Sequence, residues 1–200
     1  GNASTTSGYA GGGSGGGISV FCRTISGAGS FSARGGSAAG SGHGGNTAHP
    51  GSNLTSIWTM NAHLTLEGMT FSAVDVQAAY MVEMSAPSTI DFKDSVVSLD
   101  GINIGFWLNP NCGIRIEDSQ VSVKHMRGGS GSGFIYGSDY SACSLALVNS
   151  SVTVSDSVAG AKAKGITLCG PMTVAKSTIV GKDLNNCLIQ YCTPVLTDGS

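Results

Sequence analysis

The chain has 200 residues, of which 40% are hydrophobic and 11% charged, with a formal net charge of -2. That length suits one domain, the low charge leaves no basic surface to hold nucleic acid or an anionic bilayer, and no apolar run is long enough to cross a membrane. Its 31 glycines, against 5 prolines and 6% aromatics, fit neither a collagen repeat nor ordinary enzyme composition, while the apolar content suffices for a core.

The chain starts at Gly1 without a methionine, which reads as a processed product or a segment of a longer protein. Residues 1–52 form a glycine-rich segment, in which GYAGGGSGGG and ARGGSAAGSGHGG flank one stretch of strand composition from Ile18 to Phe31. Two readings of those glycines stand side by side: a flexible linker, or ordered packing where backbone approaches backbone too closely for a side chain.

From residue 53 to 200 a repeat takes over. Five segments carry it: LTLEGMTFSAV from Leu64, IDFKDSVVSL from Ile90, IRIEDSQVSV from Ile114, LALVNSSVTV from Leu145 and MTVAKSTIVG from Met172. Each is followed by a second strand-like segment, namely AYMVEM from Ala79, GINIGFWL from Gly101, GFIYG from Gly133, GITLCG from Gly165 and CLIQY from Cys187. The first set is spaced by 26, 24, 31 and 27 residues, irregular for a helical array but suited to a coil whose corners tolerate insertions. The GGSGSG run from Gly128 to Gly133 reads as a loop that accounts for the longest spacing.

Period-2 alternation rich in Val, Ile, Ser and Thr predicts strands and no helix. The predicted fold is therefore all-β, a right-handed parallel β-helix (β-solenoid) of about five rungs. Ile90, Phe92, Val97 and Leu99, then Ile114, Ile116, Val121 and Val123, then Leu145, Leu147, Val152 and Val154 are its predicted inward residues. Where the alternation slips by one, Asp94, Asp118 and Asn149 mark a repeated corner, each followed by serine. Their short side chains satisfy nearby backbone N–H groups and tolerate unusual dihedrals. A calcium-binding carboxylate ladder is the functional alternative, disfavoured by neutral Asn149 and by Lys176 at the related position.

Through the rungs G-I-x-(I/L) and (I/L)-x-(I/L)-x-(D/N)-S-x-(V/I), between Leu64 and Cys192, the chain resembles the pectin-lyase-like superfamily of right-handed parallel β-helices. The upstream GGGSGGGISVFCRTISGAGSFSARGG is similar to glycine-rich blocks in repetitive surface and adhesin-type proteins and phage fibres. The first resemblance implies an architecture, the second an exposed fibrous or adhesive role without a named ligand.

Of the six cysteines, Cys112 and Cys143 each lie two residues before the first inward residue of their rung, so stacking places them on adjacent turns. A spacing of about 4.8 Å between neighbouring strands lies within disulfide reach, which predicts a Cys112–Cys143 bridge. Cys169 and Cys192 are the next candidate pair, with Cys22 and Cys187 remaining. The competing reading is six buried thiols. No paired C-x-x-C knuckle is present, so no structural metal is expected. The sequons at Asn2, Asn53 and Asn149 are candidate glycosylation sites. With the even number of cysteines and the low charge, they point to an extracellular or cell-surface location.

Parallel β-helices of the resembled superfamily include lyases and hydrolases, yet no catalytic residues are selected here. Asp91, Lys93, Arg115 and Glu117 fall on outward positions of neighbouring rungs, where alternating signs read as cross-strand pairs. Glu83 completes a scattered set of carboxylates without a motif, and His43 in SGHGG lacks the companion motifs of the polygalacturonases. Neither a nucleophile elbow nor a phosphate-binding loop occurs, and no cofactor is expected.

Phe106 and Tyr136 are the expected core aromatics, while Trp107 and Tyr140 are candidate contacts for glycans or a neighbouring subunit. The last rung runs into TPVLT from Thr193, which begins like a further repeat without a capping helix. A non-enzymatic structural subunit that self-associates into a surface filament or adhesive appendage is the leading expectation. A polysaccharide-binding or polysaccharide-cleaving β-helix, secreted or of the viral tail-spike type, is the alternative.

Overall fold

The computed structural model describes residues 25–33 and 56–199, apart from 77, 86, 128–132, 138–141 and 159–160; for 25–33 and 56–59 only the backbone is described. Asn2, Cys22, His43, Asn53, Tyr140 and most of the Gly128 to Gly133 loop lie outside the described residues, as does the 1–52 segment beyond 25–33.

Among the described residues there are seventeen strands and no helix. The leading strands are β1 (Ile25–Ala33), β2 (Ser56–Met60), β3 (His63–Val74) and β4 (Tyr80–Met84). Three turns of three strands follow: β5 (Thr89–Lys93), β6 (Val96–Asp100) and β7 (Ile104–Leu108); β8 (Gly113–Glu117), β9 (Gln120–Lys124) and β10 (Gly133–Gly137); β11 (Ser144–Val148), β12 (Ser151–Ser155) and β13 (Ile166–Thr167). The last strands are β14 (Met172–Ala175), β15 (Thr178–Lys182), β16 (Ile189–Gln190) and β17 (Pro194–Thr197).

Every pairing is parallel and joins equivalent strands of successive turns. One face runs β3-β5-β8-β11-β14-β17, a second β3-β6-β9-β12-β15, and a third β2-β4-β7-β10-β13-β16. Long β3 serves the first two faces at once, and β1 pairs along it on its other side. The protein is thus a parallel β-solenoid of about five turns.

Corners are set by backbone chirality. Gly68, Asp94, Asp118, Asn149, Lys176 and Asp198 all have φ between 46° and 65°, the left-handed conformation that Asp, Asn and Gly adopt most readily. Seven residues after each of the first five, Asp75, Gly101, His125, Asp156 and Asp183 have φ between 49° and 63°. This second corner column is absent from the sequence reading above. Its signal is the same spacing as the first column, hidden because Asp, Gly and His share no chemistry that marks them as equivalent.

Directly after the first corner stands a buried serine column. The N–H of Ser95 donates to Ser119 Oγ at 3.0 Å, that of Ser119 to Ser150 Oγ at 3.0 Å, and that of Ser150 to Ser177 Oγ at 2.9 Å. Each hydroxyl in turn donates to the carbonyl two residues back on its own turn, at 2.6 to 2.7 Å. The ladder supplies partners for polar groups that the bend removes from the sheets, where an unpaired buried group costs about 1–3 kcal/mol.

Inward columns stack like on like: Leu66, Phe92, Ile116, Leu147 and Val174 on the first face, and Phe71, Val97, Val121 and Val152 on the second. All twelve predicted inward residues are buried. Phe92, Phe71 and Phe106, one from each face, meet at centroid distances of 5.9 to 6.0 Å, and Phe134 meets Phe106 edge-on at 5.6 Å. The expected core role of Phe106 therefore holds, whereas Tyr136 is turned outward and Phe134 takes the interior place. Gly105 is required beside it, since a Cβ there would meet the Phe134 carbonyl oxygen at 2.5 Å.

Two substitutions separate these effects. Ser119→Ala strands the buried Ser95 N–H and is expected to lower unfolding free energy by about 1–3 kcal/mol, against less than about 0.5 kcal/mol for exposed Ser98→Ala. At the corner, Asp94→Val should cost about 1–2 kcal/mol and Asp94→Gly much less, because the β-branched residue resists positive φ. Urea unfolding monitored by circular dichroism checks both; equal costs within either pair would remove the corresponding account.

Candidate functional site: the last described turn

The corner residues Asp118 and Asn149, with Lys176, line a shallow recess of about 260 Å³ together with Ser119, Gln120, Ser150 and Ser151. Asn149 is exposed there, and its side-chain amide donates to the Asp118 carboxylate. Asp94 occupies the same column one turn earlier. Among the described residues no group of three or more His, Cys, Asp or Glu side chains comes together as a metal site.

On the outer surface of the first face, register sets Asp91 opposite Arg115 and Lys93 opposite both Glu67 and Glu117. Arg115 Nε also lies 3.1 Å from Glu117 Oε2. Each carboxylate thus has a cation across the strand, and Glu83 lies on a different face, opposite Trp107. Such exposed pairs contribute about 0–1 kcal/mol each and hold no two carboxylates facing one another across a cleft.

Trp107 lies between Tyr80 and Tyr136, stacked at centroid distances of 4.6 and 4.7 Å with interplanar angles of 28° and 14°. Both faces of its indole are covered, so its edge is what solvent meets. Burial, and secondarily the Glu83 carboxylate, hold the Tyr80 phenol above its ordinary pKa. The row is a ladder of rings along the solenoid axis, in which its two neighbours occupy both stacking surfaces of Trp107.

Cysteines line one corner, but the expected Cys112–Cys143 bridge is not formed; all five cysteines among the described residues are thiols. The reason is direction. Cys112 Sγ donates to Met84 O at 3.3 Å, and Cys143 Sγ to Asn109 O at 3.4 Å. Both thiols are buried and reach back to a carbonyl of the preceding turn, so their vectors run parallel along the axis instead of converging. Stacking placed the pair as the sequence predicts; the rotamers did not follow. Burial pushes the Cys112 thiol up, its neighbour Cys143 adds to the rise, and hydrogen bonding with the backbone of Ser88 and Asn109 pulls the other way.

The departure from regular packing is at the last described turn. Strands β15, β16 and β17 terminate their faces, each paired with a described neighbour on one side only. The inward columns of the three faces end there in Leu196, Ile179 and Ile189. Leu196 is 59% exposed although its partner one turn back, Val174, is 2% exposed. Tyr191 is exposed as well, Val180 and Val195 are exposed at register positions that face outward, and Leu184 and Leu188 pack over Gly181. Open parallel edges bordered by apolar side chains form a template for one more turn of the same kind.

No protein-family model, curated protein or solved structure matches the chain.

A pH dependence follows from the cysteine corner. In the unfolded chain the Cys112 thiol ionises near its ordinary value of 9.0, whereas in the folded chain it keeps its proton to higher pH. Ionisation therefore favours unfolding: the thiol's contribution is intact below that value and is lost as pH rises through it. The urea midpoint should be level from about pH 7 to 8 and fall above about pH 9, less steeply in Cys112→Ser. A midpoint that rises with alkaline pH would contradict this.

Proposed function

We propose that this chain is an extracellular structural protein, a self-assembling subunit of a surface filament or adhesive appendage, whose copies stack end to end along the solenoid axis. One observation carries the reading: the described turns stack in parallel register, and on the last described turn Leu196 is 59% exposed above buried Val174, beside strand edges with no described partner. A second solenoid stacked on that turn would offer both missing components, backbone partners for the edges and apolar cover for the columns. Such a contact joins unlike ends of two copies, so it is heterologous and propagates instead of closing. The sequons and the even number of cysteines support the extracellular part of the reading.

Negative-stain electron microscopy and sedimentation velocity test it. Wild-type protein should form filaments whose axial repeat per subunit is roughly 25–30 Å, the depth of five to six turns at about 4.8 Å each. Leu196→Lys combined with Val195→Lys should shift the population to short monomeric rods while circular dichroism and thermal unfolding stay close to wild type. Val96→Lys, exposed on the side of the solenoid away from the last turn, should assemble normally. Wild-type rods that remain monomeric at high concentration would remove the filament reading, and products released from polysaccharides would favour a carbohydrate-acting β-helix.

A further inference from the structure

Counting onward from the paired strands β13 and β16 identifies a second pair of cysteines with different surroundings. Thr167 pairs with Gln190, so Cys169 and Cys192, each two residues further on, occupy equivalent places on adjacent turns. The next register point is Met172 with Pro194, which leaves one extra residue on the lower turn, and Gly170 absorbs it. Its φ is 150°, and a Cβ there would lie 1.9 Å from the Cys143 carbonyl oxygen, so the insertion bulges at glycine instead of displacing Cys169 from its place over the column. Strands at about 4.8 Å spacing place equivalent residues within the 4.4–6.8 Å Cα separation, roughly, that a disulfide spans.

Access distinguishes this pair from the first. Cys112 and Cys143 are buried, whereas Cys169 and Cys192 are half-buried at the open end. Cys192 Sγ lies 3.7 Å from Met172 Sδ, a soft contact that exchange gives up more easily than the thiol-to-carbonyl bonds of the inner pair. Its turn is paired through β17 on one side only, which lets the backbone adjust. Burial, and next the proximity of Cys169, push the Cys192 thiol up, in agreement with two neighbouring sulfurs.

We propose that Cys169 and Cys192 form a reversible dithiol–disulfide staple that fastens the last turn to the turn beneath it. The oxidant is a low-molecular-weight disulfide, RSSR. One cysteine thiolate attacks it, forming a mixed disulfide and releasing RS⁻; the second thiolate then displaces the other RS⁻, closing the protein S–S bond. Two protein S–H bonds and the RSSR bond are exchanged for one protein disulfide and two RSH, and two electrons pass from the cysteines to the small disulfide. The staple does not depend on the filament reading, since it forms within one chain.

The test uses the full chain in glutathione buffers of increasing GSSG to GSH ratio, quenched with an alkylating agent and mapped by peptide mass spectrometry. A Cys169–Cys192 linkage should dominate at oxidising ratios and be reversed by dithiothreitol, while Cys112 and Cys143 remain alkylatable after denaturation. Amide exchange at residues 195–197 should slow by about tenfold or more on oxidation, an effect of closing the loop that Cys192→Ser abolishes. Linkage of Cys169 to Cys143 or Cys187, glutathionylation without ring closure, or no linkage at any ratio would overturn the proposal. Mapping of the wild-type chain alone decides among these, whatever the variant does.

Discussion

Each turn of this protein must return to the same height and the same register, and the corner at which the first face gives way to the second enforces that return. A left-handed residue turns the strand from one face into the next, and the serine after it accepts at its hydroxyl from the serine N–H of the preceding turn while its own N–H donates to the serine hydroxyl of the following one. Without the hydroxyl the bend leaves a buried N–H with no strand opposite it; without the left-handed residue the serine does not face inward. The sheets, the core columns and the ends all take their position from this repeated contact.

Strict register has two consequences that oppose each other. Inside, like stacks on like, so phenylalanines gather in the first three turns and aliphatic residues fill the later ones with one packing solution. On the last described turn the same rule leaves Leu196, a member of an inward column, without a described neighbour on its outer side. The exposed Leu196 is the last member of an otherwise buried series, and its exposure has the same cause as the burial of Val174. Outside, register makes ladders of whatever residues recur: alternating charges on one face, and the Tyr80, Trp107 and Tyr136 rings on another.

The cysteine corner shows how far column logic reaches. It places Cys112 over Cys143 and Cys169 over Cys192, but the fate of each thiol depends on rotamer, depth and the carbonyls nearby, none of which repeats in the sequence. Carbonyl oxygens of the preceding turn capture the inner two. The outer two lie where solvent meets a strand edge with a described neighbour on one side only, and a glycine bulge beside one of them keeps the pair aligned.

Fold class, the three-strand turn and the inward residues were legible because period-2 alternation and a recurring slip at Asp94, Asp118 and Asn149 are local properties of the chain. The second corner column was not: Asp75, Gly101, His125, Asp156 and Asp183 are equivalent only by their common distance from the first. Tyr136 was misplaced because GFIYG carries three large residues in succession, and alternation cannot say which of them faces inward when Phe134 and Ile135 are both buried. The charged pairs of Asp91, Lys93, Arg115 and Glu117 were legible from their outward places on neighbouring rungs, whereas the aromatic ladder required knowledge of which strands adjoin. Sequence by itself determined what each turn is, through residue size, chirality and hydrogen-bonding capacity repeated at set positions. Tertiary structure alone decided where the thiols point and which aromatic rings stack, because those depend on rotamers and on contacts between residues some 25 positions apart that no local pattern encodes.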